Sequence, residues 1–301
     1  VIDEIAEHLP ARVLVLGATD TGKSTFIRRL LHRLVERGVA CTLVDADPGQ
    51  KHIGPPACIT SANYRYLYEL RMERLSGMYF VGSTSPRGHM LPVVVGTSKL
   101  ASAASGRVTV VNTSGYVSNA GSYLKCAKIE VLEPELLVAL ERRGELEHLV
   151  RAYSHLNWLR LPVPEAVREK SPEERRAARR ERFRRYFESA VVVEAELSGM
   201  RLQRGSELAE NMLVGVADER GRTLGLGIVL ELDEKRIRLL TPVREEMHVL
   251  QPGSMMVTRE GEELGRVRGG RHKGRVRREG CSGSHHPCAP SSGSGAACGS
   301  R

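Results

Sequence analysis

The chain has 301 residues, 41% of them hydrophobic, which suffices for one sizeable core and a smaller second domain. Its net charge of +9 is concentrated, because residues 168–185 hold nine Arg/Lys against four Glu, residues 267–301 hold seven against one Glu, and the rest is near neutral. Such patches suit a polyanionic partner. No apolar run is long enough to span a bilayer, no secretory leader precedes the first strand, and the six Cys form no C-x-x-C pair, so a reduced, cytoplasmic protein without a disulfide framework is expected.

Residues 1–10 form a short acidic lead-in with helical character. The apolar run Val13-Leu14-Val15-Leu16 predicts a strand, and Phe26 to about Arg37 predicts a helix stopped by Gly38. Between them lies Gly17-Ala18-Thr19-Asp20-Thr21-Gly22-Lys23-Ser24-Thr25, which satisfies G-x-x-x-x-G-K-S/T. The glycines let the backbone turn its N–H groups inward as an anion nest at the positive end of the following helix. Lys23 supplies a charge for the β- and γ-phosphates, and the Ser24 hydroxyl can ligate Mg²⁺.

The next strand, 40–44, runs into Asp45-Ala46-Asp47-Pro48-Gly49-Gln50. Strand, helix, strand predicts a P-loop type α/β fold with a mostly parallel sheet and helices on both faces. Ligands of such sheets lie beyond the carboxyl ends of the strands, so the acidic pair shares an edge with the phosphate loop. Asp45 and Asp47 are expected to have different tasks, one toward a metal and one toward an acceptor. Further strands are expected at 78–81, 107–111 and 136–140, the first two leading into Gly82-Ser83-Thr84-Ser85-Pro86 and Asn112-Thr113-Ser114-Gly115-Tyr116.

After Pro164 the chain turns basic. Ser171, Pro172, Glu173 and Glu174 read as a helix start, and Arg175 and Arg179 share a face of the helix that follows, as do Phe183 and Phe187. Short apolar runs at 212–217, 223–231 and 236–241, split by turn signals that include Gln251-Pro252-Gly253, predict a β-meander. The expected organisation is a kinase-type domain over 1–189 with a basic lid at about 165–188, a β-rich domain over 190–266, and a disordered Gly/Ser/Arg-rich tail over 267–301. The tail's His285, His286, Cys281, Cys288 and Cys298 do not match a zinc spacing.

The phosphate loop followed by Asp45-Ala46-Asp47-Pro48-Gly49-Gln50 resembles the polynucleotide 5′-hydroxyl kinases, a family that includes the RNA kinase subunit of the mRNA 3′-end cleavage machinery and rRNA-processing kinases. Thr113-Ser114-Gly115-Tyr116 resembles that family's T-x-G-W clasp, and Arg175 with Arg179 its R-x-x-x-R lid. The resemblance runs over about residues 12–265 and departs at Tyr116, where a Trp is usual. It also lacks a match to the N-terminal β domain of the eukaryotic members.

The resemblance implies transfer of the γ-phosphoryl of ATP or GTP, with Mg²⁺, to the 5′-OH of RNA or DNA. Gly17 to Thr25 would hold the triphosphate, and Ser24 and Asp45 the metal side. Asp47 would be the base, Lys23, Arg175 and Arg179 would stabilise the transferred phosphoryl, and Gln50, Thr113, Gly115 and Tyr116 would place the acceptor. A catalytically silent ATP-binding scaffold of an RNA-processing complex, and a P-loop NTPase or small-molecule kinase, are the competing readings.

Overall fold

The computed structural model describes residues 1–72, 74–203 and 207–266. The expectations for the 267–301 tail, its His and Cys residues included, therefore lie outside the described residues.

The chain opens with α1 (Ile2–His8), β1 (Arg12–Gly17), α2 (Lys23–Glu36) and β2 (Cys41–Ala46). There follow β3 (Cys58–Tyr64), a 3-10 turn (Leu67–Arg71), β4 (Gly77–Phe80), α3 (Met90–Ser102) and β5 (Val108–Thr113). Next come α4 (Ala120–Leu132), β6 (Leu136–Glu141), α5 (Glu147–Ala152), β7 (Trp158–Pro162) and α6 (Pro172–Phe187). The first sheet has the order β4-β3-β2-β5-β1-β6-β7. The strands β2, β5, β1, β6 and β7 are mutually parallel, while β3 runs antiparallel to both its neighbours.

Alternation along β1 splits its residues between two layers. Val13 and Val15 pack with Phe26, Ile27, Leu30 and Leu34 of α2. Leu14 and Leu16 pack on the opposite side with Leu100 of α3 and Leu124, Ile129 and Leu132 of α4. Apolar residues at three- and four-residue spacing give α2 one continuous buried stripe.

The C-terminal part contains β8 (Val191–Glu196), β9 (Arg201–Leu202), β10 (Met212–Ala217), β11 (Thr223–Leu232), β12 (Arg236–Thr241), β13 (Val249–Val257) and β14 (Glu263–Arg266). They form a second sheet of order β14-β13-β10-β11-β12-β8, with β9 alongside β13. The expected meander is β10-β11-β12, antiparallel throughout. The Gln251-Pro252-Gly253 segment is part of strand β13, not a turn. A register irregularity between Met212 and Val214 of the partner strand accommodates it, and a Cβ on Gly253 would meet the carbonyl oxygen of Leu213.

The two sheets share a core. Phe80 and Cys58 of the first sheet, Phe183 and Phe187 of α6, and Leu213, Leu226 and Met255 of the second form one buried cluster. The described residues accordingly belong to one compact unit. Helix α6 starts with a capping box, in which Ser171 Oγ accepts from the Glu174 N–H at 3.2 Å and the Glu174 carboxylate accepts from the Ser171 N–H at 2.7 Å. Its Phe183 and Phe187, four residues apart, anchor the far end in the shared core.

Candidate active site

The carboxyl ends of β1, β2 and β5 converge on a cleft of about 200 Å³ lined by Thr19 to Thr25, Asp47, Gln50, Asn112, Gly115, Val167, Arg168 and Lys170. The phosphate loop wraps from β1 into α2 through Gly22, whose φ of 84° is a conformation that favours glycine. Asp20 also adopts a positive φ of 54°, which Asp tolerates better than most residues. Lys23 Nζ donates to the loop's own carbonyl oxygens, Gly17 O at 2.9 Å and Ala18 O at 2.5 Å. Burial lowers the Lys23 pKa to about 8 despite the opposing pull of Asp47, Asp20 and Glu145. Ser24 and Thr25 are exposed at the mouth of the cleft.

Asp45 and Asp47 end up in different environments. The Asp45 side chain is 0% exposed and faces the Lys51 ammonium at 3.3 Å. Its Oδ1 accepts from Asn112 Nδ2 at 2.9 Å, and its Oδ2 from the His52 N–H at 2.5 Å. Burial acts to raise its pKa, but the charges of Lys51 and His52 and the hydrogen bonds from Asn112 and the His52 backbone hold it below the ordinary carboxylate value. Asp45 does not line the cleft, whereas Asp47 does. Asp47 Oδ1 accepts from the Gly49 N–H at 2.8 Å and the Gln50 N–H at 3.1 Å. These two bonds close a tight turn and leave Oδ2 uncommitted to any described residue.

The segment after β5 meets the phosphate loop directly. A Cβ on Gly115 would overlap the backbone of Thr19, so only glycine allows this approach. The Thr113 hydroxyl is spent on Val15 O at 2.8 Å and is fully buried. Tyr116 is half-buried, with the Arg87 guanidinium 5.4 Å from its ring centroid. Gln50 lines the cleft beside Asp47.

The basic helix, which follows β7 in the chain, reaches the phosphate loop at its start. Arg175 Nη2 pairs with Asp20 Oδ2 at 2.7 Å, which ties the helix to the phosphate loop. Arg179 instead pairs with Glu263 on β14, and Arg182 donates to His52 O at 2.9 Å. Neither Arg175 nor Arg179 lines the cleft in this arrangement, whereas Arg168 and Lys170, just ahead of the Ser171 cap, do.

Several participants carry no motif in the sequence. Asn112 holds Asp45 and keeps a buried Oδ1 without a partner. Arg142 Nη2 donates to Asp20 O at 3.0 Å and Val167 O at 2.9 Å, joining the β6 end to the lid approach. For Arg168 and Lys170 the basic run before the helix cap was the available signal, while Asn112 and Arg142 are identified only by contacts between distant segments.

Among the described residues no group of three His, Cys, Asp or Glu could hold a metal. Mg²⁺ makes no such demand, because it keeps several waters and needs one or two hard oxygen donors besides phosphate. The Ser24 hydroxyl at the cleft mouth and the unpartnered Asn112 Oδ1 are donors of that type.

Comparison with known proteins agrees with this geometry. The family model described as the P-loop of mRNA cleavage and polyadenylation factor CLP1 matches residues 17–189. A polyribonucleotide 5′-hydroxyl-kinase of Pyrococcus furiosus is 32% identical, over 85% of this chain and 90% of its own length. The polyribonucleotide 5′-hydroxyl-kinase Clp1 of Xenopus tropicalis is 28% identical over 79% of this chain and 57% of its own. A solved Clp1p–Pcf11p complex has a chain of the same fold, with a TM-score of 0.66 at 14% identity, covering 85% of this chain and 77% of that one. The chain therefore belongs to the Clp1 P-loop family.

Proposed function

We propose that the chain is a polynucleotide 5′-hydroxyl kinase, transferring the γ-phosphoryl of ATP or GTP to the 5′-OH end of RNA or DNA. The observation that supports this most is the pairing in one cleft of a phosphate loop with Asp47, whose Oδ1 is held by two backbone N–H groups and whose Oδ2 is free to take a proton. In the reaction the acceptor 5′-oxygen bonds to the γ-phosphorus, the bond from that phosphorus to the β,γ-bridging oxygen breaks, and the hydroxyl proton passes to Asp47 Oδ2. Lys23 leaves the loop carbonyls for the β- and γ-phosphate oxygens, and Arg175 and Arg179 exchange Asp20 and Glu263 for the phosphoryl oxygens. Gln50, Gly115 and Tyr116 hold the acceptor's terminal nucleotide, the ring by stacking, while Thr113 holds the segment on β1.

Mg²⁺ held by Ser24 would neutralise charge on the phosphates, with Asp45 acting on the metal side at one remove through Asn112. Cys41, Cys58 and Cys126 are free thiols, which suits a reducing, cytoplasmic setting, and no described helix is long and apolar enough to cross a membrane. Because the solved neighbour is a complex with Pcf11p, a protein partner forms part of the proposal. The scaffold and small-molecule kinase readings are not favoured, since the relatives are named for the 5′-hydroxyl kinase activity.

The test is transfer from γ-labelled ATP and GTP to matched 5′-OH RNA and DNA oligonucleotides. Labelling is expected for 5′-OH and absent for 5′-phosphorylated strands, and Asp47→Ala is expected to lose transfer while binding nucleotide. Wild-type rates in that variant would remove Asp47 as the base.

A further inference from the structure

Helix α4 buries two lysines completely. Lys125 and Lys128 are both 0% exposed and, three residues apart, lie on the same side of the helix. Lys128 Nζ donates to Ala46 O at 3.1 Å, the last carbonyl of β2 and the one immediately before Asp47. Lys125 Nζ donates to Ser114 O at 2.5 Å, just past β5 and two residues before Tyr116. The strands β2 and β5 are parallel neighbours, with Ala46 opposite Thr113. One helical turn thus grips the exits of both strands that lead to the acid and to the stacking ring.

This arrangement is costly. Burial lowers the Lys128 pKa to about 7 and takes that of Lys125 well below the ordinary lysine value. Apolar side chains at these places would extend the packing of Leu124, Ile129 and Leu132 on the sheet. A buried lysine, charged or neutral, contributes less to stability than an apolar side chain in the same place, so a role in stability alone does not account for two of them.

We infer, on the kinase reading above, that Lys125 and Lys128 are positioning residues that fix the spacing between the Asp47 turn and the Tyr116 segment, and so hold the acceptor hydroxyl in reach of its base. Lys128 sets where Asp47 stands, and Lys125 sets where the acceptor nucleotide is gripped. The two should then separate kinetically. An error in the placement of the base lowers the rate of the bound complex, whereas an error in the grip weakens acceptor binding.

The experiment uses the full chain with Lys128→Met, Lys125→Met and the corresponding Gln variants, which retain an N–H donor. It measures nucleotide affinity, thermal midpoint, kcat and the KM for a 5′-OH oligonucleotide. Lys128→Met is expected to lower kcat about 10- to 100-fold with acceptor KM nearly unchanged. Lys125→Met is expected to raise acceptor KM about 5- to 10-fold with a smaller effect on kcat. ATP affinity should stay within about twofold and the midpoint at or above that of the wild type, and Gln should restore part of each loss. Wild-type kcat and KM in the Met variants of an active enzyme would overturn this inference alone. So would activity losses matched by equal losses of ATP affinity or folded protein. If the Met variants do not fold, the Gln variants are judged by the same two criteria. A wild-type chain that transfers no phosphoryl would overturn the kinase reading and this inference together.

Discussion

The buried pair behind the catalytic edge offers a test of how the site is held. Replacing Lys51 by Met keeps a side chain of similar reach and removes the ammonium. Lys51 Nζ stands 3.3 Å from Asp45 Oδ2 with both side chains 0% exposed. At that separation an effective dielectric constant of about 20 gives an attraction of about 5 kcal/mol. Removing one member of a buried pair costs about 3–5 kcal/mol, because the other charge is stranded. Lys51→Met is therefore expected to lower the unfolding free energy by about 3–5 kcal/mol at pH 7.5. Urea denaturation followed through the fluorescence of Trp158, the single tryptophan, measures it.

The pH dependence separates electrostatics from packing. In the wild type the folded Asp45 pKa is depressed, so its stabilising contribution is present above the unfolded value of about 3.9 and is lost only as pH falls through the lower folded value. Without Lys51 burial dominates, and the folded pKa rises above the unfolded one. The variant then relieves its penalty by taking up a proton, and the gap to the wild type narrows as pH falls from 7.5 towards 5. A gap that stays flat over that range, or one under about 1 kcal/mol, would refute the electrostatic account.

Three further outcomes are expected. Gly115→Ala places a Cβ against the Thr19 backbone and should weaken nucleotide and acceptor binding together, as seen by calorimetry. Because the Lys23 pKa in the free protein is lowered to about 8, its charge is present below that pH and lost above it, so nucleotide affinity should fall as pH rises past 8 and binding there should take up a proton. Arg175→Ala breaks a partly exposed pair with Asp20, so stability should change by less than about 1 kcal/mol while single-turnover transfer falls about 10²- to 10³-fold.

Elements whose reasons are local were legible in the sequence. The phosphate loop is nine consecutive residues, the start of α6 is set by Ser171 and Glu174 three positions apart, and β10 and β12 stand at their expected bounds. Strand β3 was not legible, because Thr60, Ser61 and Asn63 break its apolar pattern, and Thr60 and Ser61 are buried through pairing with β2 and β4. The Gln251-Pro252-Gly253 segment reads as a turn until its partner strand shows the irregularity that admits the proline. Arg179 and Glu263 are 84 residues apart and Lys128 and Ala46 are 82 apart, and no local period registers such contacts.

The acidic pair divides the two sources of information most clearly. The sequence by itself placed both acids beside a phosphate loop, but residues two apart on a strand share a face, so alternation alone would have sent Asp45 and Asp47 the same way. Which one reaches the cleft was decided by tertiary structure. Asn112 and Lys51 enclose Asp45 where no water reaches it, and a buried carboxylate stays charged only when donors and a counter-charge surround it. Asp47, one residue beyond the last residue of β2, is held by its own turn and lines the cleft.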